Sequence, residues 1–132
     1  LRHHNAVYNT VALLVDGELV GLYAKRNLAG DGLHYEPRWF RPWPAGVVTE
    51  VTLLGRPVPL GDVVFDVGGV RLGFEVCEDA WVADRPGRVY AELGGTLGQP
   101  WADGAGRCGR GPAGRDLRRQ GQFWLASVDD PV

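Results

Sequence analysis

Two dipeptides, Asp16-Gly17 and Gly68-Gly69, constrain the fold of this chain more than any other feature of its sequence. Each separates two short runs rich in valine, leucine and aromatic residues: Val7–Val15 from Glu18–Ala24, and Val63–Val67 from Val70–Val76. A two-residue hairpin turn needs positive φ at its centre, which Gly and Asp tolerate, so both stretches predict antiparallel hairpins. Val47–Leu54 reads as a further strand. The almost unbroken apolar run Val11–Val15 predicts a strand covered on both faces. A short helix is expected from Asp84 or Arg85 to Leu93, with Pro86 near its first position, where a missing N–H costs little, and Gly94-Gly95 closing it.

The length of 132 residues fits one small domain. Hydrophobic residues at 45% and charged residues at 23% exclude a disordered or fibrous chain. A net charge of -2 leaves no basic footprint for nucleic acid. The small cluster Arg115, Arg118 and Arg119 has no aromatics interleaved with it. No apolar run approaches the ~20 residues of a membrane span, and there is no secretory pattern. Two cysteines do not make a disulfide framework. A soluble, cytoplasmic protein without nucleic-acid or membrane partners is expected. The chain holds no Met and no Ile, and 13 Arg stand against one Lys. The missing Met reads as a processed chain or a fragment. The Arg bias singles out Lys25, because any surface cation could equally be Arg.

Two segments depart from the hairpin pattern. Arg26–Gly46 carries Tyr35, Trp39, Phe40 and Trp43 beside Pro37, Pro42 and Pro44. The prolines rule out a regular helix, and four large aromatics predict an ordered, packed loop. From Gly94 to Gly121, nine of 28 residues are Gly and five are Arg, which predicts loop or disorder. Residues 1–93 and 94–132 are therefore read as two units, the second a Gly/Arg-rich tail of unclear origin. It is either out-of-frame translation of GC-rich DNA or a natural Gly-rich extension. Its Cys108 reads as an incidental thiol.

The chemistry-bearing residues cluster at strand exits. Cys77 ends the second hairpin in Phe74-Glu75-Val76-Cys77-Glu78-Asp79-Ala80-Trp81. A cysteine at a strand end before polar residues has the setting of a nucleophile elbow, although Cys is also a common small core residue. The adjacent Glu78 and Asp79 disfavour a thiolate, so activation calls for a cation and a base. Lys25, just past the first hairpin, can supply the cation and can stabilise an oxyanion on an attacked carbonyl. Glu36 sits among aromatics, where a carboxylate needs a partner, and Lys25 is the candidate.

These residues resemble a known family. Gly21-Leu22-Tyr23-Ala24-Lys25, followed by Leu28 and His34-Tyr35-Glu36-Pro37-Arg38-Trp39-Phe40, is similar to the lysine region of the nitrilase (carbon–nitrogen hydrolase) superfamily. The stretch from Phe74 to Trp81 resembles its cysteine region. Both are most like the glutaminase domain of glutamine-dependent NAD+ synthetases. The resemblance covers roughly residues 7–93. It implies part of an αββα sandwich of the α/β class, strand-rich in the part present, and amide hydrolysis through a cysteine thioester. Cys77 would attack the glutamine amide, Lys25 would stabilise the oxyanion and Glu36 would hold Lys25. Glu78 would receive the α-ammonium group and Trp81 would line the pocket. The ammonia would amidate nicotinic acid adenine dinucleotide in a synthetase domain absent from this chain. That domain would use ATP and Mg2+, whereas the glutaminase domain implies no cofactor or metal. A homo-oligomeric parent is also implied.

The chain departs from this pattern in two places. The family's general-base glutamate lies well upstream of the lysine. Here only Glu18 precedes Lys25, inside the hairpin, and no residue is assigned to that role. The small-residue Asn-Pro-Ser segment that follows the helix is replaced by Gly, Arg and Pro. The isolated chain is therefore expected to be inactive or nearly so. A stand-alone nitrilase-type amidase and a non-catalytic β-rich interaction module remain open. Glu78 beside the cysteine favours an amino-acid substrate over another amide.

Overall fold

The computed structural model describes residues 1–30, 32 and 35–93, together with the backbone of 96–99, 107–108 and 123–127. The elements run in the order β1 (Arg2–His3), β2 (Ala6–Val7), β3 (Thr10–Val15), β4 (Glu18–Ala24), a 3-10 turn (Glu36–Arg38), β5 (Val48–Leu53), β6 (Arg56–Gly61), β7 (Phe65–Val67) and β8 (Val70–Phe74). A second 3-10 turn (Cys77–Ala80), α1 (Pro86–Glu92), β9 (Thr96–Gln99), β10 (Arg107–Cys108) and β11 (Phe123–Ser127) follow.

Both expected hairpins form. Asp16 and Gly17 adopt φ 51 and 80 between β3 and β4, and Gly68 and Gly69 adopt φ 58 and 79 between β7 and β8. The run expected from Val7 to Val15 is split, because Tyr8 and Asn9 leave the ladder and β2 pairs with β1 instead. Strand β6 was not anticipated, since Pro57 and Pro59 cannot donate to a ladder. It forms because β5 supplies an antiparallel partner along its whole length, and because its parallel pairing with β4 starts only at Leu60, beyond both prolines. The turn that closes this hairpin places Leu54 and Gly55 at φ 52 and 76.

The strands form a five-stranded sheet in the order β11-β3-β4-β6-β5 and a four-stranded sheet in the order β10-β9-β8-β7. Alternation assigns the faces. Val11, Leu13 and Tyr23 of the first sheet meet Phe65, Leu72, Phe74 and Val76 in one buried cluster, so the sheets pack face to face. Tyr23 and Phe65 both lie against Phe74, at ring separations of 6.2 and 5.9 Å. On the outer face of the first sheet, Leu22, Ala24, Val58 and Leu60 are covered by Trp43. Strand β3 is thus covered on both sides, as its apolar run requires: Val11 and Leu13 enter one cluster and Ala12 packs on the other.

The outer face of β8 carries α1. A side chain at Gly73 would collide with the Tyr90 ring, so the close seat of this helix depends on glycine there. The helix begins after Arg85 with Pro86 in its first turn, as expected. Its expected Gly94-Gly95 end lies outside the described residues. The result is a strand-rich α/β arrangement with two stacked sheets and a helix on the outside of the second, consistent with a fragment of the expected nitrilase-type sandwich.

Two expectations need correction. Of the four loop aromatics, only Trp43 is buried, with its Nε1 donating to the Val47 carbonyl at 2.8 Å. Tyr35 and Trp39 are exposed at 57% and 54%, and Phe40 is half-buried. The segment after Gly94 is also not wholly irregular. Thr96–Gln99 extends the second sheet parallel to β8, and Arg107–Cys108 pairs with it in turn. These pairings use backbone groups alone, which hydrophobic periodicity does not report. Farther on, Phe123–Ser127 adds to β3. The cluster Arg115, Arg118 and Arg119 lies outside the described residues.

Candidate functional site

Strand β4 delivers Lys25 to the site. The Lys25 N–H donates to the Asn9 carbonyl at 2.9 Å and its own carbonyl accepts from the Trp43 N–H at 3.0 Å, which fixes its backbone. The residue is 2% exposed. A buried ammonium needs a counter-charge, and Lys25 Nζ donates to Glu36 Oε2 at 2.5 Å. Glu36 opens the first 3-10 turn and accepts two further hydrogen bonds, from Asn9 Nδ2 at 3.1 Å and from the Ala29 N–H at 2.6 Å. Its remaining 18% side-chain exposure leaves one side of the pair open.

Strand β8 delivers Cys77. The chain leaves the ladder after Phe74, and Cys77 opens the second 3-10 turn at φ 47, a left-handed conformation uncommon for a residue with a side chain. The cysteine is free and exposed. Glu78 and Trp81 lie on the same turn, Glu78 half-buried and Trp81 75% exposed. The structure therefore groups Cys77, Glu78 and Trp81 on one turn and pairs Lys25 with Glu36 on another. Glu18 is at the far end of β4, bonded to Arg56 in the hairpin. At about 3.3 Å per residue, that strand puts Glu18 roughly 20 Å from Lys25, which is too far for a shared site.

Residues to which the sequence assigned no site role join the two turns. Asp79 is fully buried. Its Oδ2 accepts from the Val76 N–H at 3.1 Å and from the Tyr23 hydroxyl at 2.9 Å. Its Oδ1 accepts from the Asn27 N–H at 2.8 Å and from Asn27 Nδ2 at 3.1 Å. Burial pushes the Asp79 carboxyl above its ordinary range, and these four donors draw it part of the way back. Burial first, and then the Asp79 charge, drive the Tyr23 phenol far upward, so Tyr23 remains a donor. The one available sequence signal was an acid three residues after Val76, where its side chain can reach back to the Val76 N–H.

A second link runs beside the first. Arg26 lies 3.3 Å from Asp62, and Asp62 accepts from the Tyr90 hydroxyl of α1 at 2.8 Å. Beneath Cys77, the fully buried Glu75 accepts from Arg85 through Nε and Nη2, both at 3.0 Å, and from the Gly87 N–H at 2.6 Å. This fork-to-fork pair ties the end of β8 to the first turn of α1. Among the described residues, no group of three or more His, Cys, Asp or Glu side chains could hold a metal ion. No helix among them is long and apolar enough to cross a membrane.

No family model matches the chain. Curated relatives do match it. The chain is 31% identical over 88 residues to the glutamine-dependent NAD(+) synthetase of Drosophila melanogaster, covering 60% of this chain and 11% of that protein. It is 34% identical over 93 residues to the enzyme of that name from Saccharomyces cerevisiae, covering 64% of this chain and 13% of that protein. The chain thus spans little more than a tenth of the length of these relatives. Among solved structures, the glutamine-dependent NAD(+) synthetase from Cytophaga hutchinsonii superposes with a TM-score of 0.60 and 29% identity, over 76% of this chain and 21% of that one. The stacked sheets, the strand exits that bear Lys25 and Cys77, and these matches make the chain a relative of the glutamine-dependent NAD(+) synthetases over part of their length.

Proposed function

We propose that this chain carries part of a glutamine amide-hydrolysing site in which Cys77 is the nucleophile and Lys25 the oxyanion stabiliser. The observation that carries the reading is the pairing of two unlike strand exits, one with an exposed left-handed cysteine and the other with a buried ammonium, bridged by Asp79 and Asn27. The names of the relatives, each glutamine-dependent, support glutamine as the substrate.

In this reading the Cys77 sulfur forms a bond to the side-chain amide carbon, and the carbonyl oxygen gains negative charge beside the Lys25 ammonium. Collapse of that intermediate breaks the C–N bond, and ammonia leaves with an added proton. The remaining thioester is cleaved by water to glutamate and the free thiol. Glu36 holds the Lys25 ammonium in place, Glu78 receives the substrate α-ammonium and Trp81 forms part of the pocket wall. The proton-transfer base is not assigned to any residue, and loss of a general base typically costs about 10²–10⁴-fold in rate. Turnover by the chain alone is therefore expected to be slow. Ammonia would pass to a synthetase domain that uses ATP and Mg2+ in the cytoplasm, within a homo-oligomeric parent; the glutaminase chemistry itself needs no cofactor.

The test is covalent labelling of the full chain with the diazomethyl-ketone analogue of glutamine. The sulfur bonds to the diazo carbon, which takes up the thiol proton as N2 leaves. Saturable labelling at Cys77, protected by glutamine and absent from Cys108, is the expected result. Equal labelling of both cysteines, without protection, would refute the reading.

A further inference from the structure

The geometry points to Asp79 as a positioning residue, whose buried carboxylate clamps the Cys77 turn to the loop that carries Lys25. This inference rests on the glutamine-hydrolase reading and extends it to a residue that touches neither substrate nor reacting atoms. Asp79 lies two residues after Cys77. Its side-chain partners across the site, Tyr23 and Asn27, lie two residues before and two after Lys25. Its third partner, the Val76 N–H, belongs to the residue just before the cysteine. One carboxylate thus spends both oxygens on the two segments whose relative placement sets the sulfur against the ammonium. Cys77 is held at φ 47, which an L-residue keeps only where its surroundings enforce it. The backbone on both sides of that residue is bonded within the turn: Val76 N–H to Asp79 Oδ2, and Asp79 N–H to the Val76 carbonyl at 3.1 Å. Asp79 has no solvent exposure, so its four donors have no competing water at the residue surface.

The experiment compares the full chain with Asp79→Asn, Tyr23→Phe and Asn27→Ala. Asp79→Asn keeps the shape but turns one acceptor into a donor, which faces either Tyr23 and Val76 or Asn27. Two quantities are read: the NMR Cα and amide shifts of Cys77, which report its left-handed backbone, and the maximal rate and half-saturating concentration of labelling by the diazomethyl-ketone analogue. In Asp79→Asn the Cys77 shifts should move toward ordinary backbone values. The maximal labelling rate should fall about 100-fold with half-saturation little changed, as for a misplacement near 1 Å. Tyr23→Phe and Asn27→Ala should show the same changes in smaller measure, and they carry the test if Asp79→Asn does not fold. A purely structural role would lower the folded fraction and the melting temperature while leaving the shifts and rate of the folded molecules alone, and that result would overturn the inference. If the unaltered chain is not labelled at Cys77, the glutamine reading fails. The Cys77 shifts of the variants then decide the role of Asp79 without it.

Discussion

Lys25 and Cys77 both follow core strands of this fold, yet the two exits are built on opposite principles. Lys25 is sealed in and held by charge: its ammonium meets Glu36, and Asn9 and Ala29 occupy the rest of that carboxylate. Cys77 is open to solvent and held by its backbone, through a left-handed turn over a buried carboxylate. In the proposed mechanism Lys25 is a stabilising cation, which works best where water is excluded and its position is fixed. Cys77 would be the nucleophile, which must be reached by its substrate, so the constraint would fall on the main chain. The same carboxylate, Asp79, bonds to groups beside both exits, and under that proposal their difference is a division of labour.

Arg85→Ala strips the fully buried Glu75 of its bidentate partner beneath Cys77, and removal of one member of such a pair typically costs about 3–5 kcal/mol. Urea denaturation should show a loss of that size. A change under about 1 kcal/mol would mean that the Gly87 N–H alone satisfies Glu75. Lys25→Met retains length and removes charge, and Glu36 keeps Asn9 and Ala29. Labelling of Cys77 by the glutamine analogue should slow by about 10²–10³-fold, as for the loss of one oxyanion donor. If stability falls and the rate does not, the Lys25 exit is structural and the two exits do not share one chemistry.

Gly73→Ala drives a methyl group into the Tyr90 ring on the outer face of β8 and should cost about 1–3 kcal/mol in thermal or urea unfolding. Because Tyr90 also bonds Asp62 beside Arg26, the variant should disturb both exits and not the cysteine turn alone. The smallest effect concerns pH. Burial raises the Asp79 carboxyl in the folded protein above its ordinary value of 3.8. Between the ordinary and the raised value, the folded state holds a proton that the unfolded chain has lost, so stability falls as pH rises there. The contribution of Asp79 is fully present below its unfolded value and is lost as pH rises through its folded value. The melting temperature of Asp79→Asn should lack this component, so the gap between it and the unaltered chain should narrow as pH rises through that window. A gap that widened instead would show the four donors outweighing burial.

Much of the local structure was legible because it depends on neighbours in sequence. Asp16-Gly17 and Gly68-Gly69 announce their turns, Pro86 marks the start of α1, and the motifs around Lys25 and Cys77 point to their chemistry. Strand β6 was illegible because Pro57 and Pro59 argue against a strand and only the partners on either side overrule them. Strand β9 was illegible because its pairing with β8 is a backbone matter in a Gly-rich stretch without apolar alternation. Of the aromatic loop, the four rings argue for an ordered, packed segment, and Trp43 alone among them is buried, with Phe40 half-buried.

The candidate site divides in the same way. Reading along the chain is enough to single out the candidate side chains: a lone lysine among arginines, a cysteine at a strand end, and a glutamate 11 residues beyond the lysine. How they are held emerges from the folded arrangement, because it depends on groups far apart in the chain. Asp79 meets Asn27 across 52 residues and Tyr23 across 56, and no periodicity or spacing rule reaches that far. Whether a carboxylate beside a cysteine is a solvated charge or a buried clamp is settled by what folds over it. Here Tyr23, Asn27 and the Val76 N–H close over Asp79 and use both of its oxygens.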